Sequence, residues 1–362
     1  MTSGAADPAS VLTIDRTAIA ANWRLLAGRL KSGAQASAVV KADAYGLGAA
    51  KVAPALARAG CVDFFVATPE EGLELKPLLP QARLYVLEGP APGAEGLFVE
   101  QGLIPVLNSA NQVEAWLATS KGRFPSALHV DTGMNRLGLS LDDAKRLAPR
   151  LAKGSLVLAM SHLACSEEPN HPMNPAQLGR FRELLAELPG VRASLANSSG
   201  IFLGSDYHLD LVRPGAALYG VNPTPGAAQP MAQVVHLQGR ILQVRDVDTP
   251  ATVGYGATHA IGRKSRIATV AAGYADGYPR SLSGRGEGYL GGRAVPLVGR
   301  VSMDLITFDV TDADPHLARV GGFIDLIGPG NPVDAVAARA GTIGYEILTR
   351  LGRRYRRRYI GD

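Results

Sequence analysis

Short apolar runs alternate with amphipathic segments from residue 36 to about residue 220, and this rhythm predicts strands that alternate with helices. Hydrophobic positions at helical spacing predict helices at 111–118, 141–151 and 175–188. The eight predicted strands are 38–40, 64–67, 84–87, 104–107, 127–130, 157–160, 194–196 and 209–212. Strands connected in this way form parallel sheets.

A further helix is predicted to begin at Pro69. Thr68 can cap it with a hydroxyl, proline is favoured at the first helical position, and Glu71 places a carboxylate at the third. The first backbone N–H groups of a helix have no partner inside it. The Thr68 hydroxyl and the Glu71 carboxylate can accept hydrogen bonds from such groups, and proline has no N–H to satisfy.

Eight such units over roughly 200 residues predict an N-terminal (β/α)8 TIM barrel, whose chemistry is expected at the carboxyl ends of the strands. A doubly wound open sheet is the alternative. Polar residues do gather a few positions after the apolar runs: Lys41, Asp131, Arg136, His162, Asn197, Ser198 and Arg213.

After about residue 230 the pattern changes to period-two apolar runs, punctuated by glycine and proline. Only 333–340 and 345–351 look helical there. The runs that predict strands are 234–247, 267–272, 294–301 and 305–310. We therefore expect an α/β chain with a barrel at 11–232 and a C-terminal β-rich domain at 233–362, with residues 1–14 a candidate to pack with the latter.

Composition narrows the functional classes. Of 362 residues, 46% are hydrophobic and 19% charged, which is typical of a globular protein, and a net charge of +5 is too small to predict nucleic-acid binding as the main activity. Cys61 and Cys165 cannot form a disulfide framework. With no apolar leader and no run of about 18 apolar residues, we expect a cytoplasmic protein without a membrane segment.

Lys41 ends the first apolar strand and is followed by Tyr45, Gly46 and Gly48. An amine at the mouth of a barrel is partly desolvated, which lowers its pKa and makes it a nucleophile toward carbonyls. The alternative is that Lys41 extends into solvent and the glycines only shape a turn. Physical reasoning alone leaves both open.

The segment 39–48, VVKADAYGLG, resembles the pyridoxal-phosphate signature of the alanine racemase family, in which the lysine holds the cofactor covalently. The resemblance extends over nearly the whole chain and implies the fold predicted above. Its further segments are HVDTGMNRLG (129–138), SH (161–162), NS (197–198), VRPGAALYG (212–220), GYG (254–256), GYADG (273–277), GRVSMD (299–304) and TIGYE (342–346).

The resemblance implies a racemase with two acid/base groups, because a proton must leave one face of the substrate Cα and return to the other. Lys41 serves one face. Tyr255, contributed by the partner subunit of a homodimer, serves the other, so each active site is shared between two chains. Nearby cations would have to lower the pKa of this tyrosine for it to act as a base.

The resemblance also implies the binding residues. Arg213 faces the pyridine nitrogen of the cofactor, where its charge discourages transamination, and His162 is its hydrogen-bonded neighbour. Arg136 and the Met303 N–H bind the substrate carboxylate, and Tyr274 and Met303, from the partner, line the entrance and crowd the side-chain pocket. The phosphate is held by Tyr45, Asn197, Ser198, Gly215, Ala216 and Tyr345.

One position departs from the family pattern. Many members carry a lysine, often carbamylated, that hydrogen-bonds to the arginine corresponding to Arg136, whereas this chain has His129. Histidine forms no stable carbamate, so another group must support Arg136 or it is held less firmly. Asn135, where glycine is frequent, is the hypothetical support.

The run 353–359, RRYRRRY, is the one charge cluster of the chain. Arginines interleaved with tyrosines suit a nucleic-acid tail. A solvated or subunit-interface strand is favoured, because no other part of the chain concentrates positive charge. Cys165 is expected to be an ordinary small apolar side chain.

The resemblance thus implies a homodimeric, pyridoxal-phosphate-dependent isomerase that interconverts L-alanine and D-alanine and supplies D-alanine for peptidoglycan, with no nucleic-acid or membrane partner and no metal. The alternatives are a serine or lysine racemase and a non-catalytic pyridoxal-phosphate homeostasis protein, which is a barrel alone. Decarboxylases of basic amino acids share the barrel but carry an acidic residue where Arg213 stands.

Overall fold

A computed structural model describes residues 10–361. These residues form two compact units, one of residues 19–218 with 222–231 and the other of residues 10–18, 219–221 and 232–361. The first strand, β1 (Ser10–Asp15), therefore belongs to the same unit as the last part of the chain. Within the described range, none of the helices combines the length and hydropathy that crossing a membrane requires.

The first unit is built from parallel strands with helices between them. Its strands are β2 (Gln35–Ala36), β3 (Ala38–Val39), β4 (Asp63–Val66), β5 (Arg83–Val86), β6 (Ile104–Leu107), β7 (Ser126–His129), β8 (Leu156–Met160), β9 (Arg192–Ser194) and β10 (Leu211–Val212). Its helices are α1 (Arg16–Gly28), α2 (Lys41–Gly46), α3 (Ala49–Arg58), α4 (Pro69–Leu75), α5 (Glu95–Gln101), α6 (Ala110–Ser120), α7 (Leu141–Ala152) and α8 (Met173–Leu185).

Strands β3 to β9 form one seven-stranded parallel sheet, and β10 closes it into a ring. On one side β10 pairs in parallel with β2, and the Ser37 N–H donates to the Val212 carbonyl (2.9 Å). On the other side the Arg213 N–H donates to the Ala196 carbonyl (2.8 Å), next to β9. The predicted (β/α)8 barrel is confirmed, and the alternative of an open doubly wound sheet is wrong.

The predicted positions of the barrel strands agree with the structure to within about two residues. The largest difference is the seventh predicted strand at 194–196, because regular pairing there covers Arg192–Ser194. The following residues instead turn toward the chain that makes β10, through an isolated bridge between Asn197 and Arg213. The helix predicted at Pro69 begins there, with the Thr68 hydroxyl accepting from the Glu71 N–H (3.4 Å).

The barrel strands are apolar along their length because both of their faces are covered. In β4, Phe64, Phe65 and Val66 are all fully buried. The Phe65 ring stacks on that of Tyr85 from β5, with centroids 4.6 Å apart. Large aromatic side chains on neighbouring strands thus fill the interior and fix the strands relative to one another.

An ion-pair cluster lies at the amino ends of the strands. The Asp63 carboxylate is almost fully buried and accepts two hydrogen bonds from Arg83, from Nε at 2.6 Å and from Nη2 at 2.8 Å. Arg192 Nη2 lies 3.3 Å from the second carboxylate oxygen and also donates to the Gln35 side chain. These contacts join β4, β5, β9 and β2 at the end of the barrel away from the polar strand ends.

The second unit is rich in antiparallel strands, as the period-two pattern predicts. Besides β1 it contains β11 (Val235–Val247), β12 (Thr252–Val253), β13 (His259–Ala260), β14 (Ser265–Val270), β15 (Glu287–Leu290), β16 (Arg293–Pro296), β17 (Ile306–Asp309), β18 (Phe323–Ile327) and β19 (Arg356–Ile360). Two helices, α9 (Val333–Ala340) and α10 (Gly344–Thr349), match the predicted helical segments, whereas the strand predicted at 294–301 ends at Pro296.

Strand β11 organises this unit. Its first half pairs with β1 and β18, and a bulge between Ile241 and Gln243 turns its second half toward β14, which in turn pairs with β17. Strand β1 also pairs in parallel with β19. The terminal arginine-rich run therefore contains an edge strand, in agreement with the interpretation that the sequence favours.

We predict that Arg83→Ala lowers the free energy of unfolding by about 1–3 kcal/mol, since it leaves the buried Asp63 carboxylate with Arg192, at 3.3 Å, as its one remaining ion-pair partner among the described residues. The matched control is Arg150→Ala, which removes an arginine from an ion pair with Glu114 in which both side chains are about half exposed. Urea unfolding should separate the two variants clearly. Equal losses would show that burial of Asp63 does not determine the effect.

Candidate functional site

The residues after the first barrel strand form a left-handed turn. In α2, the four central residues, Ala42 to Tyr45, have φ angles of 52° to 54°. Left-handed backbone costs about 1–2 kcal/mol for each residue that carries a Cβ. Such strain persists only where surrounding contacts impose it, and it concentrates at functional sites. The left-handed residues begin immediately after Lys41 in the chain.

Side chains and backbone groups hold this turn. The two Glu71 carboxylate oxygens accept from the Ala42 N–H (2.7 Å) and the Ala67 N–H (2.8 Å), so Glu71 ties the turn to the start of α4. The Asp43 carboxylate accepts from the Ala49 N–H (2.7 Å) at the start of α3. Glu71 was expected to serve its own helix, and its carboxylate instead supports the lysine turn.

The pKa of Lys41 is lowered from its usual value. Burial is the main cause and the nearby Arg136 guanidinium adds to it, while Glu71 and Glu88 act in the opposite direction. A lowered pKa increases the fraction of neutral amine at a given pH, which is the form that attacks carbonyls and accepts protons. The structure therefore favours the chemical interpretation of Lys41 over that of a surface lysine.

Arg213 is a buried cation without a carboxylate partner among residues 10–361. Its side chain donates to the Ser194 hydroxyl (2.5 Å), to the Ser161 carbonyl (2.6 Å) and to His162 Nδ1 (3.2 Å). Burial lowers its pKa to about 9, so the guanidinium stays protonated at neutral pH. Neutral acceptors satisfy its hydrogen bonds, and its charge is not cancelled locally.

The His162 imidazole is neutral. Burial, followed by the nearby Arg213 guanidinium, holds its pKa well below the usual range. Because Nδ1 accepts the hydrogen bond from Arg213, the ring proton lies on Nε2. The family resemblance implies a hydrogen bond between these two residues, and their side chains are in contact.

The loops after β9 and β10 meet at the Ser198 hydroxyl. Its oxygen accepts from the Gly215 N–H (3.0 Å) and the Ala217 N–H (3.3 Å), which leaves its own O–H free to donate. At Gly215 a Cβ would lie 2.3 Å from the phenolic oxygen of Tyr45, so only glycine permits this approach. A hydroxyl, a phenol and the start of a short helix at Ala216 thus converge at one place.

The Asn197 carboxamide oxygen has partners within the barrel. It accepts from the Ser166 hydroxyl and from the Gly200 N–H, each at 2.9 Å. These bonds connect the loop after β8 to the loop after β9. Asn197 therefore fixes the backbone that presents Ser198.

Arg136 is exposed at the end of the loop after β7. Asp131 shapes this loop, since its carboxylate accepts from the Gly133 N–H (2.7 Å) and the Met134 N–H (2.9 Å). Asn135 has a φ of 56°, a conformation that asparagine and glycine tolerate best. Within the described residues its side chain makes no hydrogen bond to Arg136, so backbone conformation is the physical reason that the structure offers for asparagine here.

His129 is nearly buried at the end of β7 and lies 2.8 Å, Nδ1 to Oδ1, from the Asn108 side chain. The Asn108 amide group donates to the Leu87 carbonyl (2.9 Å) and the Val106 carbonyl (2.8 Å), so the atom facing the ring must be the oxygen. His129 Nδ1 therefore carries the proton and Nε2 is an acceptor. Burial and the Arg213 charge lower the His129 pKa to about 4.

Two residues that hydrogen-bond to groups of the site, Asn108 and Gln177, were not identified from the sequence. Asn108 directly follows β6, so the same strand-end criterion that selected Lys41 could have identified it. Gln177 lies on α8, where no such signal exists. Its amide donates to the His162 carbonyl (2.8 Å) and the Thr132 hydroxyl (3.2 Å), and its oxygen accepts from the Ala164 N–H (2.8 Å).

The remaining predicted residues lie in the second unit. Tyr255 is 72% exposed and stands between Gly254 and Gly256, whose φ angles are 81° and 71°. Tyr274 and Met303 are also exposed, and their loops adjoin. Tyr345 lies on α10 and is partly buried.

Comparison with known families identifies both parts of the chain. A family model described as the alanine racemase N-terminal domain matches residues 14–223, and one described as the C-terminal domain matches residues 234–359. An alanine racemase of Rhodospirillum rubrum is 59% identical over 97% of this chain and 96% of that protein. A biosynthetic alanine racemase of Agrobacterium fabrum is 49% identical over 96% of this chain and 93% of that protein.

Solved structures give the same result. An alanine racemase from Bartonella henselae with covalently bound pyridoxal phosphate superimposes with a TM-score of 0.93 at 44% identity, covering 98% of this chain and all of that one. The biosynthetic alanine racemase of Pseudomonas aeruginosa gives a TM-score of 0.91 at 38% identity, with the same coverage of 98% and 100%.

We predict that His129 does not gain a proton between pH 8 and pH 5, since its folded pKa is about 4 against 6.5 for the free side chain. The unfolded chain binds this proton first, so the stability contributed by neutral His129 is lost as the pH falls from 6.5 toward 4. Histidine-ring NMR spectra, assigned with His129→Gln, measure the titration. Titration near pH 6.5 would contradict the assignment.

Asn108→Asp should raise the His129 pKa, because a carboxylate on Nδ1–H favours the imidazolium form. Asn111→Asp, which adds the same charge at an exposed position of α6, is the matched control and should leave the titration unchanged.

Proposed function

The chain belongs to the alanine racemase family, and on this premise we propose that it interconverts L-alanine and D-alanine with pyridoxal 5'-phosphate as cofactor. The observation that carries the proposal is the match of both domains, over residues 14–223 and 234–359, together with a partly buried lysine at the barrel mouth whose pKa is lowered. The substrate is a small molecule.

The barrel residues fit the cofactor on three counts. Lys41 offers an amine with a lowered pKa for the covalent bond. Arg213 offers a buried positive charge that has no carboxylate partner in the described chain, and this charge suits the ring nitrogen of the cofactor. His162, which contacts Arg213, is held neutral. Ser198 offers a hydroxyl donor at the place where Tyr45 and Gly215 meet. The predicted phosphate residues are Tyr45, Asn197, Ser198, Gly215, Ala216 and Tyr345.

When bound, pyridoxal phosphate withdraws electrons from the substrate and thereby acidifies its Cα–H bond. The protein must then move the proton. Lys41 Nζ takes or returns it on one face of Cα, and Tyr255 Oη does so on the other. Arg213 stays protonated and keeps the ring nitrogen from gaining a proton, which favours return of the proton to Cα over its transfer elsewhere.

Two groups orient the substrate. Arg136, exposed at the strand ends, pairs with the α-carboxylate, and the Met303 N–H donates to the same group. The Met303 and Tyr274 side chains restrict the space for the substrate side chain and favour alanine over larger amino acids. His129 is neutral, its Nε2 carries no proton, and its ring lies near Arg136, at the position where the resemblance implies a lysine.

We further propose a homodimer in which Tyr255, Tyr274 and Met303 complete the active site of the partner subunit. Large side chains that are 72%, 39% and 53% exposed in the single chain support this, because exposed aromatic and Met residues are enriched where proteins associate. We place the boundary between the barrel domain and the C-terminal domain near residue 232. The reaction is placed in the cytoplasm, as a supply of D-alanine for peptidoglycan.

We predict that the purified protein forms D-alanine from L-alanine, and alanine should exceed serine and lysine in a parallel turnover panel. Lys41→Ala should lose both turnover and the absorption band of covalently bound cofactor, because it removes the amine. Lys51→Ala, which changes an exposed lysine nearby, should keep both. Cofactor binding without turnover of any amino acid would indicate a carrier and refute the proposal.

Mixing Lys41→Ala and Tyr255→Phe subunits tests the shared site. In a mixed dimer one site would receive Lys41 from one chain and Tyr255 from the other, so random mixing should recover on the order of a quarter of wild-type activity. Neither variant alone should approach this value. No recovery, with mixed dimers demonstrated by mass spectrometry, would place Lys41 and Tyr255 in the site of the same chain.

A further inference from the structure

The loops that carry Tyr274 and Met303 contact each other directly. The Tyr274 N–H donates to the Ser302 carbonyl (3.1 Å), and the Ala275 N–H donates to the Met303 carbonyl (3.0 Å). At Gly273 a Cβ would lie 2.2 Å from the Met303 carbonyl oxygen. The position of Met303 therefore depends on that of the Tyr274 loop.

Arg354 bridges the two loops from the C-terminal run. Its Nε lies 2.9 Å from one Asp276 carboxylate oxygen, and its Nη1 donates to the Asp304 carboxylate (2.7 Å). Asp276 ends the short helix that begins with Tyr274, and Asp304 is the neighbour of Met303. One guanidinium thus holds a carboxylate from each loop.

Asp276 is the buried carboxylate of this bridge. Its side chain is only 6% exposed, and its second oxygen accepts from the Gly273 N–H (2.9 Å). Burial raises its pKa, and the charge on Asp304 acts in the same direction. Without the cation the two carboxylates would repel each other, so Arg354 offsets this repulsion and adds an ionic contact to the backbone hydrogen bonds that already join the loops.

Other residues of the same run have different roles. Tyr355 is buried, and residues 356–360 form β19 beside β1. Arg353, the exposed neighbour of Arg354, makes no ion pair within the described chain. Arg354 is thus the arginine of this run whose side chain contacts both loops.

We propose that Arg354 is a positioning residue that holds the Tyr274 and Met303 loops in register for substrate binding. The inference rests on the proposed function, in which these two residues contact the substrate and restrict its pocket. Arginine suits the role because its planar fork donates to two carboxylates at once, whereas lysine offers one point charge.

The test compares Arg354→Ala and Arg354→Lys with the control Arg353→Ala in the cofactor-loaded full chain. Arg354→Ala should raise the KM for alanine roughly five- to tenfold and change kcat less than about twofold, because substrate binding is loosened while the two bases remain. Arg354→Lys should lie between it and the wild type. Arg353→Ala should match the wild type.

Amide hydrogen exchange provides a measurement that does not depend on turnover. The Tyr274 and Ala275 amides should exchange faster in Arg354→Ala and at the wild-type rate in Arg353→Ala. Asp304→Asn, at a half-exposed position, removes one arm of the bridge and should show part of both effects, even if Arg354→Ala fails to fold.

The possible outcomes separate the two claims. Unchanged KM and unchanged exchange in Arg354→Ala, or a fall in kcat alone, would overturn the positioning role. If the wild-type protein formed no D-alanine, the proposed function would fail, and the amide exchange rates alone would decide whether Arg354 connects the loops.

Discussion

The Arg213 guanidinium is a positive charge buried without a carboxylate partner among the described residues, and the neutral groups around it at the barrel mouth accommodate that charge. Burial and this charge together keep His162 and His129 neutral, and Ser194, Ser161 and His162 accept its hydrogen bonds. A carboxylate in place of the Ser194 or His162 side chain would cancel the charge. A site arranged in this way is prepared for an acceptor supplied from outside the protein, such as a ring nitrogen.

The strained turn after Lys41 shows what the fold contributes to the chemistry. Four left-handed residues in succession are unfavourable in isolation, and contacts from α3 and α4 impose them. Glu71 holds the turn while its charge opposes the lowering of the Lys41 pKa. The same carboxylate therefore positions the amine and limits how far its pKa falls.

Much of the barrel could be predicted because strands buried on both faces are continuous apolar runs, as in β4 and β6. The sequence pattern did not predict seven strands: β1, β2, β12, β13, β15, β18 and β19. Strand β19 reads RRRYI, which as an exposed edge carries charge and no hydrophobic alternation, and β1 is ordered by distant partners, β11 and β19. No local pattern encodes such long-range pairing.

The same limit applies to the site. Residues at strand ends, such as Lys41 and Arg213, could be predicted because parallel strands end on one face of a barrel. The functions of Glu71, Gln177 and Arg354 depend on which side chains the folded loops bring within reach. Their residue types and spacing are ordinary, so only the structure reveals their contacts.

The central claim is that two groups act on opposite faces of the substrate Cα. Deuterium incorporation into L-alanine and D-alanine in deuterium oxide, compared between wild type and Tyr255→Phe, measures it most directly. We expect exchange from both enantiomers in the wild type and loss of exchange from only one of them in Tyr255→Phe. Equal retention of exchange from both enantiomers in that variant would contradict it.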